Sequence, residues 1–108
     1  MVQDNTAVTY RIKFEKDHAS VKVTYDLSVP IDGPALIASF QASVEGTDLI
    51  GNFVAGQSRF NGAQFHTLSH PDQDAAVSFS ISSNEGWTGS DSDVLRGGKT
   101  HDDAEFSN

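Results

Sequence analysis

Residues 8–15 read Val-Thr-Tyr-Arg-Ile-Lys-Phe-Glu, and residues 21–29 read Val-Lys-Val-Thr-Tyr-Asp-Leu-Ser-Val. Every second side chain is apolar: Val8, Tyr10, Ile12 and Phe14 in the first stretch, Val21, Val23, Tyr25, Leu27 and Val29 in the second. A period of two is that of a β-strand with one face in a core and the other in water. Two such strands joined by a short turn at Lys16–Ala19 form an antiparallel pair that packs from one side.

The same reading extends along the chain. Pro30-Ile31-Asp32-Gly33-Pro34 is a break. A third strand is expected over 35–44, with Leu36, Ala38, Phe40, Ala42 and Val44 on one face. Glu45–Asp48 reads as a tight turn with Gly46 at its strained position, followed by a fourth strand over 49–54. A fifth is expected over 59–68. There Phe60 and Phe65 fall on opposite faces of a regular strand. Either a bulge at Asn61-Gly62 returns both rings to the core, or that pair is itself a hairpin turn. A sixth covers 75–82, alternating Ala75, Val77, Phe79 and Ile81 with Ala76, Ser78, Ser80 and Ser82. Residues 92–96 suit either one helical turn or an edge strand. Short strands separated by turns, without an amphipathic helix, define the fold class: an all-β, single-domain antiparallel β-sandwich, or small barrel, of about six to eight strands. The sandwich is expected to occupy 1–97, with 98–108 an acidic, poorly ordered C-terminal tail.

The chain has 108 residues, enough for one core, and no cysteine, which excludes disulfides, thiolate metal sites and thiol nucleophiles. Its net charge of −8 opposes binding to nucleic acid or anionic lipid. Six acids against two bases fall within residues 83–108. Met1–Ala7 has neither a basic segment nor an apolar one, and no run is long enough for a membrane span. The expectation is a soluble protein, cytoplasmic or secreted without a visible signal peptide.

No pattern supports an enzyme: there is no Gly-x-Ser-x-Gly elbow, and so small a domain has little room for a cleft between paired carboxylates. His66, His70 and Asp72 are the candidates for a transition-metal site. On a strand, however, the two histidines stand on the order of 13 Å apart, too far to chelate one ion; the favoured reading is a polar loop with two solvent-exposed histidines. His101-Asp102-Asp103 is a weaker cluster. Asp91-Ser92-Asp93 opens like a calcium loop, but Arg96 stands where the central glycine belongs and Asp102 where the terminal Glu belongs. A looser calcium site on Asp91 and Asp93 is the remaining cofactor candidate.

Trp87, flanked by Gly86 and Gly89 and by short polar residues, has the makings of a sugar platform. Indole stacks on the apolar face of a pyranose, while Asn84, Asp91 and Asp93 take hydroxyls. The competing reading is an indole folded back to cap one end of the sandwich. The polar face of the third and sixth strands carries Ser39, Gln41, Ser43, Ser78, Ser80 and Ser82 where Lys and Glu are usual. It suits a covered surface, a polar groove, or a second core layer. Two functions follow as expectations. One is a non-enzymatic, lectin-like carbohydrate-binding module, oligomeric for avidity. The other is a structural or protein-interaction module that homo-oligomerises through the Ser-rich face or an edge strand.

Overall fold

The computed structural model describes residues 8–29, 35–50 and 53–108. Their strands are β1 (Thr9–Asp17), β2 (Ser20–Ser28), β3 (Ile37–Val44), β4 (Thr47–Asp48), β5 (Arg59–Thr67), β6 (Ala75–Ser83), β7 (Thr88–Leu95) and β8 (His101–Ser107). They form two four-stranded sheets, β5-β2-β1-β8 and β4-β3-β6-β7, with every pairing antiparallel. The all-β sandwich expected from the alternation is the observed fold. The chain crosses between the two sheets after β2, β4, β5 and β7, and β8 is added beside β1.

The alternation of β1 and β2 sets the core. Ile12, Phe14, Val21, Val23 and Leu27 are fully buried from one sheet, and Phe40, Ala42, Val44, Val77 and Ile81 face them from the other. Two rings of the second sheet enter the first. Phe40 lies 5.4 Å from Tyr25 and 6.0 Å from Phe60 between ring centroids. Phe79 lies 5.3 Å from Tyr10 and 5.1 Å from Phe106. Such tilted contacts add specificity to area burial, at about 0.5–1.5 kcal/mol each.

Three sequence expectations are corrected, and one left between two alternatives is decided. Residues 98–108 are not a tail outside the fold, because His101–Ser107 form β8 against β1. Ala104 is buried and Phe106 packs on the core, while Glu105 and Asp103 meet Arg11 and Lys13 of β1 at 2.9 and 4.0 Å. The pattern was hidden because only two apolar residues alternate among the acids. Of the strand expected over 49–54, residues 51–52 lie outside the described residues, and 49–50 and 53–54 are not in a strand; the strand found here is the two-residue β4 just before them. Leu49 and Ile50 are consecutive apolar residues, and both pack on the core as the chain leaves the sheet. Residues 92–96 lie on an edge strand, β7, as far as Leu95. Finally, β5 contains no bulge: its pairing with β2 runs without a slip from Arg59–Ser28 to Thr67–Ser20. Phe60 therefore points inward and stacks on Tyr25 at 5.2 Å, and Phe65 points outward, 68 % exposed. The breaks at 30–34 and the segment 1–7 lie outside the described residues.

Lys16 continues the inward alternation of β1, yet it is charged and only 3 % exposed. Its Nζ donates to the carbonyls of Pro71 and Arg96 at 3.0 and 2.9 Å, closing one end of the sandwich. At the other end Asn108 clasps β1: the Tyr10 amide donates to its Oδ1 at 3.0 Å, and its Nδ2 donates to the Val8 carbonyl at 2.6 Å.

Gly62 sits inward on β5, opposite Tyr25. A Cβ there would stand 2.7 Å from the Tyr25 hydroxyl and 3.1 Å from Cζ. Gly62→Ala is expected to destabilise the fold by about 1–3 kcal/mol through overpacking. In the Tyr25→Phe background, where the nearest atom is gone, the penalty should shrink. Urea unfolding of the four proteins of this cycle measures the coupling; equal penalties in both backgrounds would place the strain elsewhere.

Candidate functional site

The residues proposed around Trp87 lie mostly on one strand. The β6–β7 register sets Gly89, Asp91, Asp93 and Leu95 against Ile81, Phe79, Val77 and Ala75, all of them core residues. Trp87, whose carbonyl accepts from the Ser83 amide at 2.8 Å, continues that row. Trp87, Asp91 and Asp93 therefore share the face of β7 that is turned toward the other sheet. The indole is half-buried against the core, 6.2 Å from the Tyr10 ring and tilted by 47°. It also lies over Gly89, where a Cβ would approach its Cη2 to 2.8 Å. Asn84 is engaged elsewhere: its Oδ1 accepts from the Leu36 amide at 2.7 Å and ties the β6–β7 turn to the start of β3.

Asp91 and Asp93 have a visible local task. Because Trp87 bonds Ser83, the odd-numbered residues of β7 bond β6, and the amides of even-numbered residues face the open side of the strand. Asp91 Oδ1 accepts from the Ser92 amide and Asp93 Oδ1 from the Val94 amide, both at 2.8 Å. Two acidic side chains thus cover two of the edge donors that an added strand would need.

His66 and His70 diverge. His66 is inward on β5, and its imidazole meets Glu45 Oε1 at 2.9 Å in a half-buried site. An ionised carboxylate only accepts, so Nε2–H donates. Glu45, at φ +53° in the β3–β4 turn, also accepts from the amides of Ser69 at 2.8 Å and His70 at 3.2 Å. One carboxylate thereby anchors the β5–β6 connection. His70 contributes its backbone, and the exposed Asp72 contributes no side chain to this group. Among the described residues, no three His, Asp or Glu side chains gather as metal ligands. Nor is any helix among them long and apolar enough to cross a membrane.

The feature that sequence reasoning located best is the face of β3 and β6. Ser39, Gln41 and Ser43 pair with Ser82, Ser80 and Ser78 and point out of the sandwich. The alternating residues Phe40, Ala42, Ile81 and Phe79 fill the core, so the serines are not a second core layer. Ser90 and Ser92 of β7 extend the row beside Ser80 and Ser78. Hydroxyls bond across strands, Ser39 to Ser82 at 2.8 Å and Ser43 to Ser78 at 2.9 Å. The buried Lys16 was missed, although its place in the alternation of β1 could have revealed it.

The chain matches no protein-family model, no curated protein and no solved structure.

Two outcomes are expected. Gly89→Ala pushes the only indole of the chain off its strand, so its fluorescence emission should shift to the red while the far-ultraviolet dichroism is retained. An unchanged spectrum would contradict the packing described. The Glu45 carboxyl is held below the usual glutamate range, first by the Ser69 amide and then by His66 and the His70 amide, against the opposing effect of burial. A lowered folded pKa contributes stability above the unfolded value of about 4.3 and loses it as pH falls through the folded one. The stability advantage of the wild type over Glu45→Gln in urea should therefore shrink on acidification. An advantage independent of pH would show that the charge is not what anchors the connection.

Proposed function

We propose that this chain is a non-enzymatic protein-association module whose working surface is the outer face of the β4-β3-β6-β7 sheet, with a second copy of the chain as its occupant. The observation that carries this reading is the contrast between the two outer faces. One sheet turns Arg11, Lys13, Lys22, Asp26, Asp103 and Glu105 outward, several of them ion-paired. The other turns out serines, Gln41, Ala76, Thr88 and Val94, with a single outward charge among its described strand residues, Asp48 at the β4 edge. Depletion of charge distinguishes the centre of an interface from the rest of a surface.

Three properties make such a face inexpensive to cover. Its hydroxyls already bond one another, so covering them leaves fewer donors and acceptors without partners. Serine side chains have little rotamer freedom to lose. Small residues across adjacent strands also leave a level surface that a similar sheet can approach closely.

A carbohydrate site at the β7 edge is the second reading, favoured by the placement of Trp87, Asp91 and Asp93 on one face of one strand. A site so shallow binds weakly and gains from several copies. Asn84 is left out of it, because its amide oxygen holds Leu36. Calcium, if it acts, would act through Asp91 and Asp93.

Sedimentation across a concentration series tests the first reading. The wild type should associate, and Ser80→Lys, at the centre of the face, should weaken association roughly tenfold or more by burying an unpaired charge. A wild type that stays monomeric throughout the series would end it. A glycan array, run with and without calcium on the wild type and on Trp87→Ala, tests the second; equal binding by both proteins would dismiss the indole as its platform.

A further inference from the structure

The four edges of the sandwich differ in how they are protected. β4 is two residues long and ends in Asp48. β7 covers two of its edge amides, those of Ser92 and Val94, with Asp91 and Asp93. β8 carries Asp102, Asp103 and Glu105. Shortness and charge are the usual devices against unwanted strand pairing. β5 has neither. It is nine residues long, with seven of them exposed. It pairs with β2 without a bulge and contains no proline and no acid. Its one Lys or Arg, Arg59, sits at its first position and is held by Asp26 through two hydrogen bonds of 3.2 Å. Among the described residues, no strand lies on its outer side.

The backbone phase of β5 follows from the contacts at its two ends. The Val29 amide donates to the Ser58 carbonyl and the Leu68 amide to the Ala19 carbonyl. Even-numbered residues of β5 therefore bond β2, and the N–H and C=O groups of Arg59, Asn61, Ala63, Phe65 and Thr67 face away from it. We infer that β5 is a pairing edge, and that a second copy of this chain adds to it as an antiparallel β5, joining two four-stranded sheets into one continuous sheet about a two-fold axis at Ala63.

The occupant is chosen by fit and by charge. In that register Ala63 meets Ala63, Asn61 meets Phe65, and Arg59 meets Thr67 of the other copy. All the outward backbone groups pair, in roughly ten hydrogen bonds. No like charges stand opposite each other. Phe65, 68 % exposed and with Lys22 Nζ 5.9 Å from its ring centre, gains cover diagonally from Ala63 of the other copy. Two chains of net charge −8 repel, and β5 is the edge through which they can meet without bringing strand carboxylates together. A two-fold axis closes this contact after one addition, so the β5 edge taken alone gives a discrete dimer rather than a filament. This contact uses a different surface from the serine face and does not depend on it.

Sedimentation of the full chain, alone and with Ala63→Pro or Phe65→Lys, tests the inference. Proline removes an N–H that faces away from β2 and is tolerated on an edge strand in that orientation. Phe65→Lys leaves the backbone intact and sets two charges near the axis, so it still tests the pairing if Ala63→Pro proves poorly folded. The expected result is a β5 contact that both variants weaken roughly tenfold or more, with unchanged far-ultraviolet dichroism, and that survives as a dimer when Ser80→Lys removes association through the serine face. A monomeric wild type, or a dimer that Phe65→Lys leaves intact, overturns the inference. Association lost in Ser80→Lys but kept in both β5 variants would assign the contact to the serine face alone.

Discussion

Two phenylalanines of one sheet, Phe40 and Phe79, wedge between rings of the other, and the architecture depends on these contacts. Phe40 enters beside Tyr25 and Phe60, and Phe79 beside Tyr10 and Phe106, with Phe14 behind Phe106 at 6.1 Å. With no disulfide available to hold the layers, interlocked rings fix both their spacing and their lateral position. Other features can be traced to this fit. Gly62 is where it is because the Tyr25 ring takes the space of a side chain, and the indole of Trp87 fills the gap beside Tyr10 at the sandwich end.

The two sheets serve different ends on the same plan. The β5-β2-β1-β8 sheet presents charge to water and ties its own strands with ion pairs from β1 to β8 and from β2 to β5. The β4-β3-β6-β7 sheet presents mostly hydroxyls, two pairs of them bonded to each other, and carries its one outward strand charge, Asp48, at the β4 edge. Charge is thus segregated by face within a chain that is acidic overall. A patch of low charge on a strongly charged body is a place where contact is opposed least, and long-range repulsion disfavours contact elsewhere.

Much of the fold was legible because alternation is a dense signal. β1, β2, β3 and β6 each place three or more apolar residues on one face, and a one-residue slip would turn every one of them into water. The signal fails where an edge strand leaves half its length uncovered. β7 has acids on its inward face, which no count of apolar residues would assign to a strand, and β8 holds two apolar residues among three acids. β5 misled in another way. Asn61-Gly62 suggested a turn or bulge, whereas the glycine answers to a ring on the neighbouring strand. In the candidate site, the residue types around Trp87 were readable, but their placement was not. Whether Asp91 turns to a ligand or to the amide beside it depends on strand register, and the engagement of Asn84 with Leu36 spans 48 positions.

The clasp at Asn108 has a mechanical consequence. Val8 and Asn108 meet at the same corner, on neighbouring antiparallel strands. A force drawing that corner apart would load the Asn108 contacts first and then the rungs between β1 and β8 one after another, as a zipper opens. The same sandwich pulled along the length of a strand would strain many rungs at once. Tethered at this corner, the protein is at its softest, and a single amide side chain sets the resistance at the outset.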